Sequence, residues 1–301
     1  MLSMLQNNKI YLLRETTTYN IENMDCPYIY CNIDLLKKSI IETIKRKFYR
    51  ISNTSILYDY LFICFFIGND FIINTPAINI RYGGLDYLLE NYHNLQEKYN
   101  GIFYLIDNDK NLCFDNFKLF VKELSLNEKK KLDEINVIRR NQQNKYKRIY
   151  NDILNTYKPK CIEDINPIKI PIDKDKLDEI QNHSPVIFRD VEDLIFNKNM
   201  EKNYYMFNFY DHLYYDPSYK MILENDKDSL CHEYLKSIIW TYYYYFHECV
   251  SWKWYYQYHF SPLLTDFSNY CDNCNLSSLD TLIEKNNISH TPEEQLKIVL
   301  P

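Results

Sequence analysis

Apolar positions along the chain fall first into short runs and then into helical repeats. Lys9-Ile-Tyr-Leu-Leu-Arg14 and Pro27-Tyr-Ile-Tyr-Cys-Asn-Ile33 are compact, aromatic and β-branched runs of strand length. Asp34 then stands where an N-cap belongs, and Leu35, Leu36, Ile40, Ile41 and Ile44 follow at helical spacing. Lys45-Arg46-Lys47 closes that helix with cations suited to the negative end of its dipole. Ile56–Ile67 is apolar almost all round, which predicts a buried helix with a buried strand as the alternative. Gly68-Asn69-Asp70 stops it.

Leu85, Leu88, Leu89 and Tyr92 predict a further amphipathic helix. Residues 117–157 are charged and helix-permissive, with basic spots at Arg139-Arg140 and Lys145-Tyr-Lys-Arg148. Cys161–Pro185 is acidic and punctuated by proline, and reads as an exposed connector. Helical spacing resumes at Leu235, Ile238, Ile239, Tyr242 and Tyr243, while Asn269–Thr291 is polar and poorly periodic.

Composition sharpens this outline. The 301 residues are 46% hydrophobic and 25% charged, enough to bury a real core. Four glycines against 30 tyrosines leave few sites for left-handed turns, which favours long helices joined by polar loops over an all-β fold. A net charge of −6 argues against a non-specific nucleic-acid coat, yet a metal-dependent nuclease must itself present carboxylates. The nine cysteines are odd in number and irregularly spaced, as for free thiols in a reducing compartment. The N-terminus lacks a signal-peptide pattern, and the most apolar run, Leu61–Ile67, is far shorter than the ~20 residues of a membrane span. The expectation is a soluble, intracellular protein that does not enter a membrane.

Three motifs bear on chemistry. Gly68-Asn69-Asp70-Phe71 fixes a carboxylate at the end of a rigid element, where a magnesium ligand is useful, although Asn and Asp also serve simply to stop helices. One carboxylate does not make a two-metal site. The block Ser251-Trp-Lys-Trp-Tyr-Tyr-Gln-Tyr-His-Phe-Ser-Pro262 is dense in rings that can stack on unpaired bases, but most of them are expected in the core. Cys271-Asp-Asn-Cys274 has the spacing of half a zinc site without its other half, so no structural zinc is expected. The basic clusters at 45–50 and 139–148 could meet phosphates, although solvated helix faces are the usual explanation.

Five segments in order resemble the XRN family of 5′→3′ exoribonucleases. Tyr58–Phe71 is similar to the family's hydrophobic helix ending in GNDF, and Pro76–Asp86 to the P-x-L-x-I-R-x-G-A-I-D segment after it. Tyr234–Phe246 with Ser251–Pro262 resembles the W-x-W-Y-Y-x-Y-H-Y-A-P block, and Thr291–Pro301 the P-x-x-Q-L-x-x-V-L-P block. Met1–Leu5 with Tyr11–Glu15 looks like the stretch just downstream of an acidic D-x-D pair. Phe71-Ile-Ile-Asn-Thr-Pro76 departs from the family's F-L-P-H-L-P, and residues 108–228 match only in character.

The resemblance implies a mainly α fold: a short α/β segment, residues 1–50, that would complete the edge of a nuclease domain, and an XRN helical domain over 51–301. It implies hydrolysis of single-stranded RNA from a 5′-monophosphate end, as in RNA decay and processing. Asp70 would be one catalytic Mg2+ ligand, and Trp252 or Trp254 would stack on the terminal base. The other carboxylates would belong to an N-terminal nuclease portion, in the same polypeptide or in a separately encoded half, so that Mg2+ would serve only the complete enzyme. The rival expectation is a non-catalytic RNA-binding or scaffold protein that keeps the helical domain alone.

Overall fold

The computed structural model describes residues 10–15, 28–135, 137–138, 141, 227–258, 261–274, 283 and 288–300. Met1–Leu5, Arg139-Arg140, the 145–148 cluster, the 161–185 connector and His259 lie outside the described residues. The chain forms two compact units, residues 1–126 with 228–301, and residues 127–227. In the second unit, residues 128–135 are helical, and Leu132 and Ile135 are buried.

The larger unit is mainly helical. It begins with an antiparallel pair, β1 (Tyr11–Glu15) and β2 (Tyr28–Asn32), in the register Leu13 opposite Tyr30. Because strand side chains alternate, Tyr11, Leu13, Tyr28 and Tyr30 share one face, and all four are exposed. Two strands cannot form a stable sheet unaided, so what holds the pair is the next element. Ile33 N–H donates to the Ile10 carbonyl, and α1 (Ile33–Ile44) continues from β2 without a turn.

The helix cap differs from the sequence expectation. Asn32, not Asp34, is the N-cap: its side-chain oxygen accepts from Asp34 N at 3.0 Å and Leu35 N at 3.2 Å. Asp34 instead sits in the first turn, where its charge suits the positive helix end. The cations Lys45-Arg46-Lys47 lie beyond the last turn, although the Arg46 guanidinium reaches back to the Thr43 carbonyl at 3.0 Å.

The apolar run is helical: α2 (Asn53–Ile63) tightens into a 3-10 turn over Cys64–Ile67. Ser52 caps α2 by accepting from Ser55 N. Then follow a 3-10 turn over Ile80–Tyr82, α3 (Gly84–Lys98) and α4 (Phe114–Leu126). α5 (Lys227–Phe246), α6 (Leu264–Asn273) and α7 (Pro292–Val299) complete the described elements. α6 carries the helix five residues, 269–273, into the stretch that reads as aperiodic. Leu264, Phe267, Ser268 and Cys271 all face inward at helical spacing, and only the polar residues between them mask the repeat. α7 opens with a reciprocal capping box between Thr291 and Glu294.

The core is an aromatic mesh. Phe62 meets Phe117 at 6.0 Å and Phe66 meets Phe120 at 5.8 Å, joining α2 and its 3-10 turn to α4. Tyr234 of α5 meets Phe267 of α6 edge-on at 5.2 Å. Such edge-to-face pairs contribute about 0.5–1.5 kcal/mol each beyond the area they bury.

One polar hub crosses this core. Asp59, fully buried on α2, accepts Leu105 N and Ile106 N on Oδ1 at 2.9 and 2.8 Å. Its Oδ2 accepts the Tyr92 hydroxyl of α3 at 2.6 Å. The carboxyl therefore satisfies two backbone groups of the loop between α3 and α4 that would otherwise be orphaned in the core. Burial outweighs these donors and pushes the Asp59 carboxyl up to about 7.

Candidate functional site: a cleft between the Gly68–Asn74 loop and the Trp254 segment

The 3-10 turn after α2 ends at Gly68, whose φ of 91° and ψ of 152° no side-chain residue adopts easily. A Cβ there would also lie 3.0 Å from Asn74 N. Past it, the Asn69 side chain folds back: its Oδ1 accepts Phe71 N at 2.8 Å and Ile72 N at 3.0 Å, while Asn69 N donates to the Ile72 carbonyl at 2.9 Å. This asparagine turn leaves Asp70 at the tip, exposed to solvent. No described residue hydrogen-bonds its carboxylate.

The loop is tied down on its far side. The Tyr234 hydroxyl donates to the Ile73 carbonyl at 3.1 Å, and the Ser261 hydroxyl donates to the Asn74 carbonyl at 2.9 Å. Phe71 packs against two rings of α5, Trp240 and Tyr244, at 5.0 Å each. Trp240 and Tyr244, one helical turn apart, stack at 5.3 Å with an 11° interplanar angle. The Trp240 indole N–H donates to the Ser251 carbonyl at 2.8 Å and so anchors the segment that follows.

Trp254 lies 6.0 Å from Trp240, ring centre to ring centre, and its indole N–H points to Glu233 Oε2 at 3.4 Å. Glu233 is held in turn by Lys236 at 2.8 Å. Between the loop and this segment lies a cleft of about 320 Å³, lined by residues 69–73 and by Trp240, Trp254, Tyr255, Tyr256 and Tyr258. Burial and the neighbouring Tyr234 hold the Tyr256 phenol far above its usual range, so it stays neutral and can only donate or accept hydrogen bonds. Tyr245, above its usual range through burial, also feels Tyr244 and the negative charge of Asp70.

The fold thus brings Asp70 and Trp254 together in one cleft. Trp252 is 47% exposed and is not among the lining residues. The expectation that most rings of the 251–262 block are core needs correcting. Trp252 and Tyr255 are exposed, and Trp254, Tyr256 and Tyr258 are half-buried. Residues 252–258 run without regular structure, exposed or half-buried, from the buried Ser251, and the deep aromatic position is taken by Trp240 from α5. Trp240, Phe71 and Asn69 are the site residues that sequence reasoning missed. The spacing of Trp240 and Tyr244 on one helix face was the available signal.

Asp70 is the one carboxylate among the lining residues, and no group of three metal-ligating side chains occurs among the described residues. A solvent-facing carboxylate without a hydrogen-bond partner, on a rigid turn, fits one ligand position of a hard cation such as magnesium and no more. No described helix is long and apolar enough to cross a membrane.

Comparison with known proteins fixes the family. The family model of the Xrn1 helical domain matches residues 50–301. The chain belongs to the Xrn1 helical domain family. Over 295 residues it is 26% identical to the 5′-3′ exoribonuclease 2 homolog of Drosophila melanogaster, which covers 91% of this chain and 31% of that protein. Over 327 residues it is 22% identical to the 5′-3′ exoribonuclease 2 of Arabidopsis thaliana, with the same coverage of 91% and 31%. A 40-residue stretch is 45% identical to the Gallus gallus 5′-3′ exoribonuclease 2. The chain therefore spans under a third of the length of its Drosophila and Arabidopsis relatives. What this Xrn1 helical domain contributes is the cleft, with one free carboxylate and a wall of aromatic rings.

Proposed function

We propose that this chain supplies the helical part of a 5′→3′ exoribonuclease that hydrolyses single-stranded RNA from a 5′-monophosphate end. The observation that carries the reading is that Asp70 and Trp254 line the same cleft of about 320 Å³. Trp254 is held by Trp240 and Glu233 with its ring toward that space, as a platform on which the terminal base stacks. Asp70 would be one of the residues that hold a magnesium ion, which when bound would supply water activation and charge neutralisation. Since two-metal phosphoryl chemistry needs several carboxylates, the remaining ligands come from a nuclease portion of the enzyme, supplied in the same polypeptide or by a separately encoded partner. The protein's own work here is to bind and orient the 5′ nucleotide.

Asp70 being the one lining carboxylate also favours a second reading, in which the domain binds RNA without cutting it. The two separate in one experiment. The chain by itself, with magnesium and a 5′-monophosphorylated RNA, should release no mononucleotides. Supplied with the nuclease portion of a relative, it should release them, and Asp70→Asn should remove that activity. Exonuclease activity from the chain alone, abolished by Asp70→Asn, would show that it carries a complete site. Inactivity of the reconstituted pair, with RNA still bound, favours the non-catalytic reading.

A further inference from the structure

The segment between α1 and α2, Lys45-Arg46-Lys47-Phe48-Tyr49-Arg50, carries four cations in six residues of a chain whose net charge is −6. All four are exposed, and none forms an ion pair among the described residues. Lys45 and Arg46 donate only to neutral acceptors, Asn53 Oδ1 at 2.8 Å and the Thr43 carbonyl, and so keep their charge. Lys47 and Arg50 are left to solvent. Glu42 of α1, the buried Asp59 of α2 and Glu97 of α3 are the nearby acids by sequence or by field, and none pairs with the segment.

This segment is rigid although it is irregular. Tyr49 is buried and shares a hydrogen bond with His93 of α3. Tyr49 N donates to the Arg46 carbonyl at 3.0 Å, and Arg50 N donates to the Gly101 carbonyl at 2.7 Å. Gly101, with φ at 80°, abuts the Phe48 carbonyl so closely that any Cβ would collide with it. The cations are therefore held out at fixed positions, and Phe48 and Ile102 add exposed apolar surface beside them. The first turn of α2, whose helix end is positive, follows directly at Asn53.

The position is as informative as the charge. α2 has 11 residues and the continuing 3-10 turn has 4, and the turn leads straight into Gly68-Asn69-Asp70. At about 1.5 and 2.0 Å of rise per residue, the basic segment stands roughly 25 Å from the Asp70 loop along one rod. Stacked nucleotides advance about 3.4 Å along a strand axis, so that span is about seven nucleotides.

We infer that the 45–50 segment is a second RNA contact, one that takes the phosphates of the strand about seven nucleotides downstream of the end held in the cleft. The inference rests on the reading of the cleft as the site of the 5′ nucleotide. The segment acts through charge on the backbone, without reading bases, and makes the enzyme prefer a long single strand to a short one.

The test is fluorescence anisotropy with 5′-monophosphorylated oligouridylates of 4 and 16 nucleotides, on the full chain, its Lys47→Glu/Arg50→Glu double variant and Trp254→Ala, at several salt concentrations. Circular dichroism checks that each variant is folded. The double variant should bind the 16-mer about tenfold more weakly, with a salt slope smaller by about 1.4 for the two lost contacts, and the 4-mer unchanged. Trp254→Ala should weaken both. If the double variant binds the 16-mer like the wild type while Trp254→Ala weakens both, the cleft reading stands, the segment is left to a protein contact, and the inference fails. If the double variant weakens the 4-mer as much as the 16-mer, the segment is not a distal contact, and the inference fails again. Trp254→Ala leaving both unaffected overturns the cleft reading and the inference with it, as does failure of the wild-type chain to bind either.

Discussion

Asp59→Asn should change how the stability of this domain depends on pH. Wild-type Asp59 has its carboxyl pushed up to about 7 from 3.8 by full burial, against three hydrogen bonds that favour the ion. Below the unfolded value both states hold the proton, and the contribution of this group to stability is at its maximum. As pH rises from about 4 to 7, only the folded state keeps the proton, so stability falls. Above 7 it is level again. Each tenfold change in the protonation equilibrium is about 1.4 kcal/mol, so the whole fall is on the order of 4 kcal/mol, and about 3 of that lies between pH 5 and 8.

Asparagine keeps an oxygen for Leu105 N and Ile106 N but presents an amide to the Tyr92 hydroxyl, which already accepts from Gln96 Nε2 at 2.9 Å. One buried hydroxyl then lacks an acceptor, at about 1–3 kcal/mol. The variant should therefore be less stable than the wild type at pH 5 by about that amount and equal or more stable at pH 8. Urea unfolding followed by circular dichroism at both pH values measures the crossing. Parallel pH dependences for the two proteins would refute the reasoning, since they would mean that the three donors hold Asp59 ionised in the core.

Asn69→Ala deletes the acceptor for Phe71 N and Ile72 N, and should cost about 1–2 kcal/mol in thermal unfolding while weakening RNA turnover by the reconstituted enzyme more than that loss explains. Gly68→Ala meets both a positive φ and Asn74 N, so it should destabilise by about 1–3 kcal/mol in the same measurement. Trp254→Ala should raise the KM of reconstituted enzyme for 5′-monophosphorylated RNA by an amount worth about 1–3 kcal/mol, and Trp252→Ala, outside the cleft, by much less; equal effects would displace the stacking role. Metal analysis of the purified chain should find no zinc. One zinc per chain, lost in Cys271→Ser, would contradict this.

The sequence by itself determined the helical class, both strands of the opening pair, the helix hidden in the apolar run and the family. Each is written in short-range periods or in ordered motifs that need no partner to be read. It also drew attention to Asp70, through the resemblance of Gly68-Asn69-Asp70-Phe71 to a family motif, since the four residues by themselves read equally as a helix stop. What it did not contain is adjacency. Asn32 rather than Asp34 caps α1 because β2 enters the helix without a turn, a matter of strand pairing. None of the described rings at 252–258 is fully buried, because Trp240, 14 residues before Trp254 on α5, already fills the deep position beside Phe71. Asp59 looks in sequence like a stray charge on an apolar helix, and it becomes a hub only when the 105–106 backbone folds over it. Tertiary structure chose between Trp252 and Trp254 as the cleft-lining ring. Along an extended chain, two tryptophans two residues apart are chemically alike, and only packing against Trp240 and Glu233 turns one of them to the cleft.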